Sequence, residues 1–171
     1  MKHKFFLLLS FFIFCFVVLF KGLNNQNIYT PERLIKKNLI NFKSKNLFSN
    51  NEIYSNDILV DSKLYIINIW SSWCIPCRDE HSKLIKLSKN PSIKLFGLNY
   101  RDNDKNAKKF LEELGNPYSM VLVDKNGTIS IELGAYGVPE TFVINKNKKI
   151  IKKFIGPLNE KSLEDINLIL K

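Results

Sequence analysis

An α/β fold with a central mixed β-sheet and helices on both faces is predicted by three features of the chain. Strand-like and helix-like segments alternate through its middle, a hairpin pattern follows them, and a last helical pattern closes the sequence. The apolar, β-rich run at 64–70 has the length of a strand buried on both faces. A helix over 77–89 follows, with Leu84, Ile85 and Leu87 as its apolar stripe and Arg78, Asp79, Glu80, Lys83 and Lys86 as its solvated side. Pro91 breaks the chain, and 93–99 reads as a second strand. Asp102 and Asp104 are candidate caps for a helix over 105–114, where Ala107, Phe110, Leu111 and Leu114 recur at helical spacing before Gly115 and Pro117 end it. Residues 120–123 form a third strand that turns at 124–127. Runs at 141–144 and 150–155 flank a turn at 145–148 as an antiparallel hairpin, and a final helix over about 159–170 carries Leu163, Ile166, Ile169 and Leu170 on one face.

A chain of 171 residues leaves room for one domain and an appendage. Lys2, His3 and Lys4 precede an apolar run at 5–20 that Lys21 and Gly22 close. Roughly 16 apolar residues are short for a spanning helix of about 20 and long for a signal core of 7 to 15. The residues after it offer no A-x-A-like cleavage site, so an uncleaved anchor is expected in preference to a cleaved signal. Residues 1–4 then form a cytoplasmic tail, 5–21 the transmembrane anchor in the inner membrane, 22–49 a tether that becomes a short β-region, and 50–171 a periplasmic domain. The net charge of +10 does not imply nucleic acid, because its 26 Lys and Arg are interleaved with 16 acids and no recognition motif appears.

The chemistry resides in Trp73-Cys74-Ile75-Pro76-Cys77-Arg78, a C-x-x-C between a strand and a helix start. Unpaired N–H groups and the dipole at a helix N-terminus favour a Cys74 thiolate, while Cys77, one turn further in, is shielded and suited to resolve a mixed disulfide. Cys15 lies in the apolar run, so this pair holds the only thiols of the exported domain, and no structural disulfide framework exists. A zinc site would need four ligands; His81 is the one further candidate, so no metal is expected, and no cofactor beyond the redox-active pair. His81 reads as a helix-surface or rim residue, Trp70 as core and Trp73 as a cover over the thiols.

This order of elements, with W-C-x-x-C at the first strand–helix junction and Val138-Pro139 before a later strand, resembles the thioredoxin superfamily over about 50–171. More narrowly it resembles the membrane-tethered CcmG/DsbE cytochrome c maturation reductases. Three stretches carry this: 68–74 (NIWSSWC), Arg78-Asp79-Glu80-His81, and 134–142 (GAYGVPETF). The resemblance implies a thioredoxin-like fold and a thiol:disulfide oxidoreductase that acts as a reductant. It makes Pro139 a cis-proline facing the dithiol, leaves the Val138 backbone free to pair with an extended substrate, and puts Glu140 on an acidic rim, with Trp73 covering the thiols. Tyr136 is left between packing and partner contact. Asn68 stands where ordinary thioredoxins carry a buried Asp, and Ile75-Pro76 departs from the usual Pro-Thr or Pro-Val. The implied partners are the C-x-x-C-H disulfide of apocytochrome c or another maturation thiol protein, and a membrane electron donor of the DsbD or CcdA type. Alternatives are a tethered reductase for copper-site or other exported cysteines and, from another class, a non-enzymatic docking or chaperone module.

Overall fold

The computed structural model describes residues 2–24, 37–49 and 51–170, and the chain divides into two compact units, 1–30 and 31–171. The first holds helix α1 (Lys2–Asn24). Its stretch His3–Lys21 is the one helix among the described residues long and apolar enough to cross a membrane. At 1.5 Å per residue these 19 residues span about 28 Å, close to the hydrocarbon thickness of a bilayer. Four successive residues, Phe5, Phe6, Leu7 and Leu8, are all exposed, so the apolar surface runs round the helix instead of forming one stripe.

In the second unit the elements follow as β1 (Lys43–Asn46), β2 (Glu52–Tyr54), α2 (Ser55–Ile58), β3 (Leu64–Trp70), α3 (Ile75–Ser88), β4 (Ile93–Tyr100), α4 (Asp104–Leu114), β5 (Met120–Asp124), α5 (Thr128–Glu132), β6 (Glu140–Asn145), β7 (Ile150–Ile155) and α6 (Glu160–Leu170). The seven strands among the described residues make one mixed sheet in the order β2-β1-β5-β4-β3-β6-β7. Pairs β3/β4 and β4/β5 are parallel and the others antiparallel. Two successive crossovers in the same direction, α3 and α4, therefore lie on one face. There they pack with α6 against Leu64, Ile66, Trp70, Leu95 and Val143. Tyr65, Ile67, Ile69, Phe96 and Phe142 point to the other face, which Leu39, Phe42, Ile58 and Ile129 cover. All seven residues of β3 are buried, as its unbroken apolar run predicts.

Three expectations change. The domain does not begin at residue 50: Leu39, Phe42 and Leu47 are buried in the core, and β1 pairs with β5 through Lys45↔Val123 and Asn46↔Leu122. The short β-region expected at the end of the tether is thus an inner strand of the sheet, a place that its polar strand residues, KSKN, do not announce. Helix α3 starts at Ile75, because Cys74 caps it and Pro76 fits its first turn. Asn103, not Asp102 or Asp104, caps α4, its Oδ1 accepting from Lys105 N and Asn106 N. The short helix α5 was not foreseen; it is held by Asp124, which accepts from Ser130 N at 2.8 Å and Ser130 Oγ at 2.6 Å.

Phe42→Ala should lower the unfolding free energy of the detergent-solubilised chain by about 3 kcal/mol in urea titrations. A residue of a solvated tether would change it by no more than about 0.5 kcal/mol.

Candidate active site

Cys74 and Cys77 are disulfide-bonded at the start of α3. Cys74 is the N-cap, and its Sγ accepts from the backbone N–H of Cys77 at 3.1 Å. The same donor and the helix N-terminus favour negative charge on that sulfur once the pair is reduced. The loop leading to Cys74 is tied down by a buried Asp102. Its carboxylate accepts from Ser72 N at 2.6 Å, Ser72 Oγ at 2.8 Å, Asn99 Nδ2 at 3.0 Å and Asn103 N at 2.7 Å. Ser71 Oγ donates to Tyr100 O and Trp73 Nε1 to Arg101 O. Trp73 and Ile75 stand out beside the sulfurs at 57% and 77% exposure, while the cysteines themselves are buried. Trp73 therefore flanks the dithiol and offers its ring to solvent.

The register of β3 against β6, Ile69↔Glu140 and Asn68↔Thr141, brings the start of β6 level with the end of β3. Val138-Pro139, joined by a cis peptide bond, consequently lies at the same sheet end as the Cys74 loop. Val138 packs against the cluster that contains both cysteines.

Glu140 forms no acidic rim: it is 1% exposed. Its Oε1 accepts from Tyr136 N at 2.8 Å and Gly137 N at 3.3 Å, and its Oε2 lies 2.7 Å from Lys153 Nζ. Lys153 in turn donates to Gly134 O at 2.8 Å and sits 4.5 Å from the centre of the Tyr136 ring. The pair thus clamps the 134–138 turn that delivers Pro139, leaving Tyr136 exposed.

Beneath Cys77, one turn along α3, lies Glu80, which is buried and not on a solvated side. Its Oε1 accepts from Asn68 Nδ2 at 2.8 Å and its Oε2 from Leu158 N at 2.7 Å. Asn68 Nδ2 also donates to Thr141 Oγ1 at 3.0 Å, and Asn68 Oδ1 accepts from Tyr118 Oη at 2.8 Å. Burial pushes the Glu80 carboxyl up from the ordinary 4.5 to about 7, against the lowering effect of the Leu158 and Asn68 hydrogen bonds. The carboxylate absent at Asn68 is therefore supplied from the facing helix. His81, expected at the surface, is also buried; Nε2 lies 2.8 Å from Gly115 O and the ring meets Phe110 edge-on. Desolvation lowers its pKa, against the Gly115 hydrogen bond and with help from Arg78, so the ring is a neutral packing element. Among the described residues no cluster of three or more His, Cys, Asp or Glu could hold a metal ion.

The redoxin family model matches residues 37–168. Over 132 residues the chain is 39% identical to the thiol:disulfide interchange protein DsbE of Escherichia coli, covering 77% of this chain and 71% of that protein. It belongs to the DsbE-type redoxins. The DsbE of Haemophilus influenzae is 34% identical over 155 residues, 91% of this chain and 85% of its own length. A Chlorobium tepidum structure assigned as a thiol:disulfide interchange protein DsbE shares the fold at a TM-score of 0.68 and 21% identity, over 80% of this chain and 98% of that one. The chain is accordingly a thiol:disulfide oxidoreductase of thioredoxin-like fold whose redox centre is the C-x-x-C pair itself.

In this redoxin the polar groups that sequence reasoning missed are those that tertiary packing buries. The i, i+3 spacing of Cys77 and Glu80 was a usable signal for one of them. Tyr118 and Lys153 carried no local signal, and Asp102 only that of a helix cap.

Glu80 binds its proton more tightly folded than unfolded, so the stability it contributes is fully present below about pH 4.5 and is lost as pH rises through about 7. Measured against Glu80→Gln, which does not titrate, the wild-type unfolding free energy should fall by about 3 kcal/mol between pH 4 and pH 8. Lys153→Met strands a buried carboxylate and should cost about 3–5 kcal/mol in chemical denaturation. Adding Glu140→Gln, which keeps an acceptor for Tyr136 N, should restore more than half of that loss.

Proposed function

We propose that the protein is a membrane-anchored periplasmic reductant of cytochrome c maturation, which keeps the C-x-x-C-H thiols of apocytochrome c reduced for haem attachment. The observation that carries this reading is the conjunction at one sheet end of a helix-capping Cys74, a buried Cys77 above Glu80, and the Val138-Pro139 segment within the GAYGVPETF stretch. The resemblance of that stretch to the cytochrome c maturation reductases supports the substrate.

In this mechanism the Cys74 thiolate attacks one sulfur of the substrate disulfide, forming a mixed disulfide and releasing the other substrate sulfur as a thiolate. Cys77 then gives its proton to the Glu80 carboxylate and attacks Cys74 Sγ. The second substrate sulfur leaves and takes up a proton, so the substrate gains two electrons and the Cys74–Cys77 disulfide forms. The Val138 backbone pairs with the extended substrate, and Trp73 and Tyr136 contact it from either side. A groove of about 290 Å³ beside Trp73, lined by Ser72, Arg78, Asn106, Lys109, Phe110 and Glu113, receives its flanking residues. The helix at His3–Lys21 anchors the domain on the outer side of the inner membrane, with Lys2, His3 and Lys4 in the cytoplasm. A membrane thiol carrier of the DsbD or CcdA type re-reduces the pair.

Cys77→Ser cannot resolve the mixed disulfide. Expressed in a host with its own cytochrome c maturation system, it should accumulate apocytochrome c or a maturation thiol protein linked to Cys74, identifiable by mass spectrometry of the adduct. Copper-assembly proteins in that adduct would instead assign the tethered-reductase alternative.

A further inference from the structure

The network beneath Cys77 contains a group with no role in the exchange reaction itself. Tyr118 precedes β5, yet its hydroxyl reaches Asn68 on β3, two strands away in the sheet. The ring gets there by crossing β4 at Gly97, the register partner of Asn68. A Cβ at Gly97 would lie 2.8 Å from Tyr118 Cδ2 and 2.7 Å from Trp70 Nε1. Trp70 stacks on the phenol ring at 5.7 Å and 20°. A bulky phenol is therefore held over a bare point of the sheet with its hydroxyl against the Asn68 carbonyl.

We propose that Tyr118 is a positioning residue that locks the Asn68 amide so that its Nδ2 edge, and not its carbonyl, meets Glu80. A side-chain amide can turn over with little change of shape, so its neighbours decide its orientation. Thr141 Oγ1 imposes little, because an aliphatic hydroxyl donates or accepts and its hydrogen rotates to suit, whereas a phenol O–H is held near the plane of its ring. Glu80 is not selective by itself: the carboxylate calls for an N–H, whereas the protonated acid can donate to a carbonyl. Tyr118 breaks this tie. Its buried O–H needs an acceptor, and Asn68 Oδ1 is the one it has; turning the amide would leave that hydrogen facing an N–H₂. With Tyr118 in place the N–H edge stays towards Glu80 in both protonation states, which favours the ionised acid needed to receive the Cys77 proton. Without it, protonation of Glu80 brings the amide round and is strengthened. The titratable groups facing Glu80 are the Cys77 thiol on its own helix and the Tyr118 phenol; β6 and the segment before α6 present the neutral Thr141 hydroxyl and Leu158 N–H.

The test follows the Glu80 carboxyl by ¹³C NMR in the reduced, full-length protein in detergent, beside the pH profile of mixed-disulfide resolution by Cys77. Tyr118→Phe should raise the Glu80 midpoint by about one pH unit, the equivalent of one hydrogen bond to the ionised form, and move the resolution profile with it. An unchanged midpoint in a folded variant overturns the proposal, since a merely structural tyrosine would alter stability alone. If Tyr118→Phe does not fold, 3-fluorotyrosine at position 118, a stronger donor of the same shape, should lower the midpoint, and no movement overturns the proposal equally. The inference rests on the dithiol chemistry of the family and not on the substrate, so its outcome is separate from that of the Cys77→Ser trap.

Discussion

Strand β3 is hydrogen-bonded along both edges, in parallel to β4 and in antiparallel to β6, and the site depends on that double ladder. A parallel neighbour requires a crossover, and α3 is that crossover, so its N-terminus falls at the C-terminal end of β3. An antiparallel neighbour on the other edge must begin where β3 ends. Cys74 and Pro139, distant in sequence, meet at one end of the sheet for this topological reason. The Asp102 carboxylate then fixes the short loop between β3 and α3, so the sulfur rests on a rigid support.

Two buried carboxylates flank this strand on opposite faces and serve different ends. Glu140 forms an ion pair with Lys153 and accepts from two backbone N–H groups, and it shapes the turn that presents Tyr136 and Pro139. A buried ion pair is weak evidence of stability, because desolvation offsets most of its attraction. Its evident effect is geometric. Glu80 has hydrogen bonds but no cationic partner among them, and burial dominates its proton affinity. A group poised near neutrality one turn from a buried thiol suits proton transfer at physiological pH.

An acid on α3 faces Asn68, the position at which the thioredoxin resemblance would place a carboxylate on the strand. An amide on β3 supplies donors in place of charge, and the charge comes from α3 across the same interior layer. Tyr118 and Gly97 complete this arrangement from the next strand, which links the packing of the sheet to the chemistry of the dithiol.

By itself the sequence determined the strand–helix order, the apolar N-terminal helix and the C-x-x-C at the α3 start, because those features are written in local periodicity and spacing. The long strands β3 and β4 were legible from their apolar runs, while β1 was legible only as a short β-region without a place in the sheet, since pairing with β5 and not its own composition seats KSKN there. Polar side chains were the systematic failure. Glu80, His81 and Glu140 look solvated in a linear reading because charge and polarity favour the surface, and their partners Leu158, Gly115 and Lys153 lie elsewhere in the chain. Only the tertiary structure decided which polar groups go inside, because burial of a charge or a donor is possible only where distant segments supply its hydrogen-bond and ionic partners.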